Sequence, residues 1–248
     1  MHVSFRFYGQ LNDFLPPIRR GGRFTQVLRH VSSVKDAIEA LGVPHPEVDV
    51  ILINGAAQDF PARVHDGDHV AVYPAFRSID ISGVRRAGAD APQPVRFALD
   101  AHLGKLVALL RLAGFDVISL ADDADLANTA AREDRVALTR DVVLLKRSVV
   151  RHGYWVRHTD PEWQLAEVLE RFGLADHMEP FARCLRCNTR LVAVDAGAVA
   201  DQLLPRTRTE FREFRQCPGC ARIYWQGSHY EPLHRVLERA RHRVMRAR

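Results

Sequence analysis

The chain has 248 residues, 47% of them apolar and 26% charged, values of a soluble globular protein with room for one large or two smaller domains. No apolar run has the length of a membrane span, and the opening MHVSFRFYGQ lacks the basic-then-hydrophobic pattern of a secretory signal; a cytoplasmic protein with no membrane partner is expected. The net charge of +5 is unevenly spread: residues 1–90 sum to zero, 91–182 to −3 and 183–248 to +8. An acidic middle beside a basic end points to a polyanion held near carboxylates, although a solubilising basic tail gives the same imbalance.

Residues 1–77 read as a small β-rich unit. HVSFRFYG alternates as a strand, and RFTQVL supplies a second. SSVKDAIEALG has helix signals: Ser33 as N-cap, Asp36 at the third position and Gly42 past the end. DVILING is a strand entering an Asn-Gly turn, and HDGDHVAVYPAF is a turn followed by the last strand. Strand, strand, helix and two strands is the order of a β-grasp fold. ILINGAAQDFPARVHDGDHVAVYPAF resembles the ubiquitin-like sulfur carriers. Those carriers end in a free Gly-Gly, whereas here the chain runs on into RSIDISGVRR, so a docking or RNA-contact role fits better than sulfur carriage; a purely structural appendage is the other reading.

Residues 78–94 carry Gly, Pro and Ala without apolar periodicity and read as a linker. From residue 95 to 182, strands and helices alternate. The strands are VRFAL, FDVISL, RVALT and YWVRHT; the helices are AHLGKLVALLRLAG, ADLANTAARED, DVVLLKRSVVRHG and PEWQLAEVLERFG. Such alternation implies a parallel sheet with right-handed crossovers. An aspartate follows every strand: Asp100, then Asp122 and Asp123 with Asp125 opening the next helix, then Asp141, then Asp160. In a parallel sheet these positions share the carboxyl edge, where open α/β sheets place their sites. Aspartate is also a favoured N-cap, and before Pro161 capping is the better reading of Asp160. Several carboxylates on one edge repel unless cations separate them, and Mg²⁺ or Mn²⁺ suits such oxygen donors. Two such ions about 4 Å apart would serve phosphodiester hydrolysis. Neither a phosphate-binding P-loop nor a dinucleotide-binding glycine turn follows a strand.

Cys184 and Cys187 form one CxxC pair and Cys217 and Cys220 a second, with 29 residues between the pairs. Two such knuckles make a closed four-thiolate zinc site, structural because no coordination position stays open; an iron–sulfur cluster and redox thiols are the alternatives. The insert includes TRLVAVDAG and RTRTEFREFRQ, which can supply ribbon strands. Arg183, Arg186, Arg190, Arg206, Arg208, Arg212, Arg215 and Arg222 lie around it with Tyr224 and Trp225, a mixture suited to single-stranded nucleic acid, although the aromatics equally suit packing under the ribbon. EPLHRVLERARHRVMRAR reads as a basic amphipathic helix on Leu233, Leu237, Ala240 and Val244, packed on the ribbon or lying on RNA.

FALDAHLGKLVALLRLAGFD, DADLANTAAREDRVALTRD, CLRCN and YWQGSH together closely resemble the Mut-7 C-terminal RNase family over residues 95–232. The resemblance implies a PIN-like nuclease with an appended zinc ribbon, and the family also occurs with a ubiquitin-like N-terminal domain. PIN-like nucleases hold metal with an aspartate after the first strand, an acid opening a mid-domain helix and the aspartate of a T-x-D segment. By position these are Asp100, Asp125 and Asp141, with Thr139 orienting a carboxylate or a water, or else a plain strand residue. Glu133 is a candidate fourth acid or a solvated helix residue, and Asp122 and Asp123 compete with Asp125. Lys105 joins Arg186, Arg190, Arg212 and Arg215 as an expected RNA contact, as does His229 of YWQGSH, for which proton transfer and a structural hydrogen bond are the other readings.

The expected fold is α/β: a β-grasp (ubiquitin-like) domain over 1–77, a linker over 78–94, a PIN-like parallel-sheet domain over 95–182, a zinc ribbon over 183–232 and a basic helix over 233–248. The expected function is metal-dependent hydrolysis of RNA phosphodiesters, with structural Zn²⁺, catalytic Mg²⁺ or Mn²⁺, and a protein partner for the β-grasp domain. The alternatives are a non-catalytic RNA-binding adaptor with a β-grasp docking module, and a sulfur-transfer partner using the CxxC thiols.

Overall fold

The computed structural model describes residues 1–75, 86–88, 90–228 and 230–246; part of the expected linker, and His229, lie outside the described residues. The chain forms two compact units, each from two stretches: Met1–Pro92 with Asp123–Trp155, and Gln93–Asp122 with Val156–Arg248.

In the first unit, strand β1 (His2–Phe7) alternates and turns Val3, Phe5 and Phe7 inward. It pairs antiparallel with β2 (Phe24–Val27). Helix α1 (Val34–Ala40) starts where the Ser33 hydroxyl accepts the Asp36 N–H, and it buries Val34, Ala37 and Ile38. Strand β3 (Val50–Ile53) turns through Asn54 and Gly55, both at positive φ, into β4 (Ala56–Gln58). That short return strand was not expected, because its three residues carry no pattern of their own; the left-handed Asn-Gly turn dictates it. The last strand of this sheet, β5 (His69–Tyr73), lies parallel to β1 and antiparallel to β3. The order β2-β1-β5-β3-β4 is the expected β-grasp.

After β6 (Arg96–Asp100), α2 (Gly104–Leu112) and β7 (Asp116–Leu120), which belong to the second unit, the first unit receives helix α3 (Asp123–Arg132), strand β8 (Val136–Thr139), helix α4 (Val142–Leu145) and strand β9 (Gly153–Trp155). All four residues of β8 are buried, and β8 runs parallel to β9. The long helix expected over DVVLLKRSVVRHG is only four residues. Its β-branched valines favour helix weakly, and past Leu145 the chain is tied down elsewhere, with the Val150 carbonyl on the His45 ring. Gly153, which ends the expected helix, is instead the first residue of β9, and a Cβ there would stand 2.7 Å from Leu145 Cδ2 and force that side chain to shift.

In the second unit, strand β6 (Arg96–Asp100) runs parallel to β7 (Asp116–Leu120), with Asp100 opposite Leu120. Helix α2 (Gly104–Leu112) connects them with its apolar stripe buried. Gly114 closes this connection at φ +96°, where a Cβ would meet the Glu179 carbonyl oxygen at 2.4 Å. Asp160 caps α5 (Pro161–Phe172) by accepting from the Glu162 and Trp163 amides, as expected.

The ribbon that follows has strands β10 (Val192–Val194), β11 (Phe214–Gln216) and β12 (Ile223–Trp225) in an antiparallel sheet, with a short helix α6 (Pro205–Glu210) in the insert. Helix α7 (Tyr230–Arg246) buries Leu237, Ala240 and Val244 and packs on α5. There the Arg239 guanidinium forks onto Glu162 at 2.6 and 3.0 Å, and Arg243 covers the Trp163 ring at 4.3 Å. Packing on the ribbon or on RNA was expected for this helix; its apolar stripe is instead taken up by α5. No helix among the described residues is long and apolar enough to cross a membrane.

Candidate active site and metal centre

The carboxylates divide between the units. In the second, Asp100 ends β6 and Asp122 follows β7, so both stand at the carboxyl end of that parallel pair. The Asp100 Oδ1 accepts the His102 N–H at 2.9 Å and so starts the 3₁₀ turn over Ala101–Leu103. In the first unit, Asp141 stands just past the carboxyl end of β8, and Asp125 lies in the first turn of α3. Because α3 packs on β8 and then feeds its amino end, the first turn of α3 points back towards the end where Asp141 stands. The Asp141 Oδ1 caps α4 through the Val143 N–H at 2.7 Å. Thr139, fully buried, accepts the Asp141 amide on its hydroxyl at 2.9 Å. Each capping aspartate therefore spends one oxygen on a helix start and has a second to offer.

Glu133 is placed differently. It precedes β8, at the opposite end of that strand from Asp141, and its carboxylate bonds Arg135 at 2.7 Å and Arg132 at 3.1 Å. The Arg135 hydrogen bond holds its pKa below the ordinary value.

The four cysteines converge. Their sulfurs all lie within 4.8 Å of one another, with Cys184–Cys220 at 3.6 Å and Cys187–Cys217 at 3.3 Å. A tetrahedral zinc with 2.3 Å bonds needs sulfurs about 3.8 Å apart, so the set is compatible with a structural zinc. Cys184 and Cys217 are buried. The Thr189 hydroxyl, 3.4 Å from the Cys187 sulfur, leads the hydrogen bonds that bring that thiol down to about 6, favouring the thiolate a metal requires. Tyr224 donates to the Cys184 sulfur at 3.1 Å while accepting the Leu185 N–H at 3.2 Å, so its ring serves the knuckle. Trp225 is the more open aromatic, 38% exposed.

Sequence reasoning missed what fastens this centre to α2 and β7. Arg111 of α2 donates to the carbonyls of Leu185 and Arg186, at 3.0 and 2.8 Å, and with two further nitrogens to the Val117 carbonyl. Asn188, at φ +68°, accepts the Val117 N–H and donates to Asp116, at 3.0 Å each. An asparagine directly after a CxxC was the available signal; Arg111 carried none, since an arginine on a helix is usually solvated.

A family model for the Mut7-C RNAse domain matches residues 95–237, and one for the Mut7-C ubiquitin domain matches residues 1–80. The chain belongs to the Mut7-C RNAse domain family. Membership supports a ribonuclease-type function, preceded by the family's ubiquitin-like domain. Searches of curated proteins and of solved structures returned no match.

Within the RNAse domain the expected RNA contacts fall into two groups. Arg186 and Arg212 are exposed on the ribbon, and Lys105 is exposed in the first turn of α2. Arg190 instead pairs with Glu179 at 2.5 Å, and Arg215 donates to the Phe181 carbonyl at 3.1 Å.

Proposed function

We propose that the chain is a metal-dependent ribonuclease, with Asp100, Asp125 and Asp141 holding Mg²⁺ or Mn²⁺ and with zinc fastening the ribbon. The reading rests on the family match, joined to the repeated placement of aspartates at the carboxyl ends of parallel strands. A divalent ion held by carboxylates supplies an activated water and neutralises charge on the leaving oxygen. The chain's own part is to hold those carboxylates: Thr139 fixes the backbone entering Asp141, and the capping bonds fix one oxygen each of Asp100 and Asp141. Asp122, which follows β7, is proposed as an accessory acid. Glu133 is left out, its charge being matched by Arg132 and Arg135. Lys105, Arg186 and Arg212 would take RNA phosphates, Arg190 and Arg215 doing so only by giving up part of their present bonding.

The test is cleavage of end-labelled single-stranded RNA by the wild type, Asp100→Asn and Asp141→Asn, in Mn²⁺ or with a chelator. Cutting by the wild type alone, and only with metal, is expected. Salt-sensitive RNA binding without cutting in any metal would overturn the nuclease and leave an RNA-binding adaptor.

A further inference from the structure

The ubiquitin-like domain is joined to the β8–β9 segment by buried polar groups. His45, 7% exposed, puts one ring nitrogen on the Glu39 carboxylate at 2.7 Å and the other on the Val150 carbonyl at 2.8 Å. The Lys146 ammonium donates to the Glu39 carbonyl at 2.7 Å. Glu47 has no exposed surface, and its carboxylate accepts the Trp155 N–H at 2.7 Å. The Phe14 ring lies 5.2 Å from the Trp155 ring, tilted by 49°. Each of these polar groups is paired, so the domain and the segment meet through satisfied polar bonds.

Trp155 is where the joint meets the candidate site. Its indole N–H donates to the Arg140 carbonyl at 3.1 Å, and the other side of that same peptide, the Asp141 N–H, is held by Thr139 at 2.9 Å. A peptide unit is planar, so fixing its oxygen and its hydrogen fixes its orientation, and the Asp141 Cα goes with it. The indole is itself fixed from the ubiquitin-like side, its backbone by Glu47 and its ring by Phe14.

We propose that the ubiquitin-like domain acts within its own chain as a brace, positioning Asp141 through Trp155. Trp155 is thus a positioning residue, and Phe14 and Glu47 support it. The catalytic consequence rests on the ribonuclease reading; the structural one does not. Trp155→Phe keeps a ring and removes the donor, Phe14→Ala removes the supporting wall, and Ile18→Ser, at a 93% exposed site of the same domain, is the control.

Two readouts are taken on the full chain: amide hydrogen exchange at Asp141 without added Mg²⁺ or Mn²⁺, and steady-state cleavage in Mn²⁺. Trp155→Phe and Phe14→Ala should both speed exchange at Asp141 and lower kcat by about 10–100-fold, the usual effect of losing a group that orients a metal ligand, with KM for RNA unchanged. Ile18→Ser should change neither. Unchanged exchange and kcat in both variants, with Asp141→Asn inactive, would overturn the brace and leave the nuclease standing. A rise in KM alone would overturn it in favour of RNA binding by the ubiquitin-like domain. If the wild type cuts no RNA, the nuclease reading falls, and exchange alone decides: faster at Asp141 in Trp155→Phe supports the brace, and unchanged overturns it.

Discussion

The ubiquitin-like domain and the ribbon are both small additions to an α/β nuclease core, and they are held together by opposite means. The first has a core of its own, with Phe5, Phe7, Leu11, Ile38, Ile51 and Val72 all at 2% exposure or less. Among its described residues the second has a small cluster of Val199, Leu203 and Phe214, with Val194, Ala196, Phe211 and Ile223 packed against it, and is further tied by four converging sulfurs and by Arg111 and Asn188. So small a cluster supplies little apolar surface against the entropy of ordering a ribbon of this length. The ubiquitin-like domain is therefore expected to hold its fold through its own core, and the ribbon to depend on a metal at its four cysteines.

The largest effect should come from the metal. Cys184→Ser, or a strong zinc chelator, should strip backbone protection from the ribbon and leave the ubiquitin-like domain folded, as amide exchange would read domain by domain. Structural zinc in small domains contributes on the order of 10–16 kcal/mol, so nothing else in the ribbon can replace it. A ribbon still protected without metal would break the comparison. The reverse experiment is Phe5→Ala, which should cost about 3–5 kcal/mol in urea unfolding of the ubiquitin-like domain while leaving bound zinc stoichiometric. Arg111→Met comes next: it keeps the apolar stem and removes the donors to three backbone carbonyls, so a loss of about 2–3 kcal/mol is expected, together with weaker zinc retention in a competition assay. The smallest effect lies on α7. The Arg239 hydrogen bonds hold the Glu162 pKa below its ordinary 4.5. A depressed carboxyl pKa contributes stability that is present above 4.5 and is lost as pH falls through the folded value. Glu162→Gln should thus reduce stability at neutral pH by under about 1 kcal/mol, the pair being partly exposed, and the difference from wild type should vanish in acid.

Much of this was legible in the residues. The β-grasp order followed from alternating strands, the Ser33 cap and the Asn-Gly turn, all of which act within a few residues and so survive being read without a fold. The same holds for the Asp160 cap and for the two CxxC knuckles, whose spacing is itself the geometry. The expected helix after Asp141 failed because its apolar spacing said nothing of Val150 being claimed by His45, a residue 105 positions away. Trp155 and Arg111 escaped notice for the same reason, since each acts on backbone carbonyls, and carbonyls leave no trace in a sequence.

Local chemistry in the sequence alone determined the kinds of element, the thiolate set and the recurrence of aspartates after strands, because caps, turns and periodicities are short-range. Only the tertiary structure decided which carboxylate is paired with an arginine, as Glu133 is with Arg135, and which follows a backbone amide held by a buried hydroxyl, as Asp141 does with Thr139. It alone decided that the basic terminal helix spends its stripe on α5 and that the ubiquitin-like domain reaches Asp141 through an indole. These depend on groups brought together from distant parts of the chain, where hydrogen bonding and desolvation, rather than spacing, set the outcome.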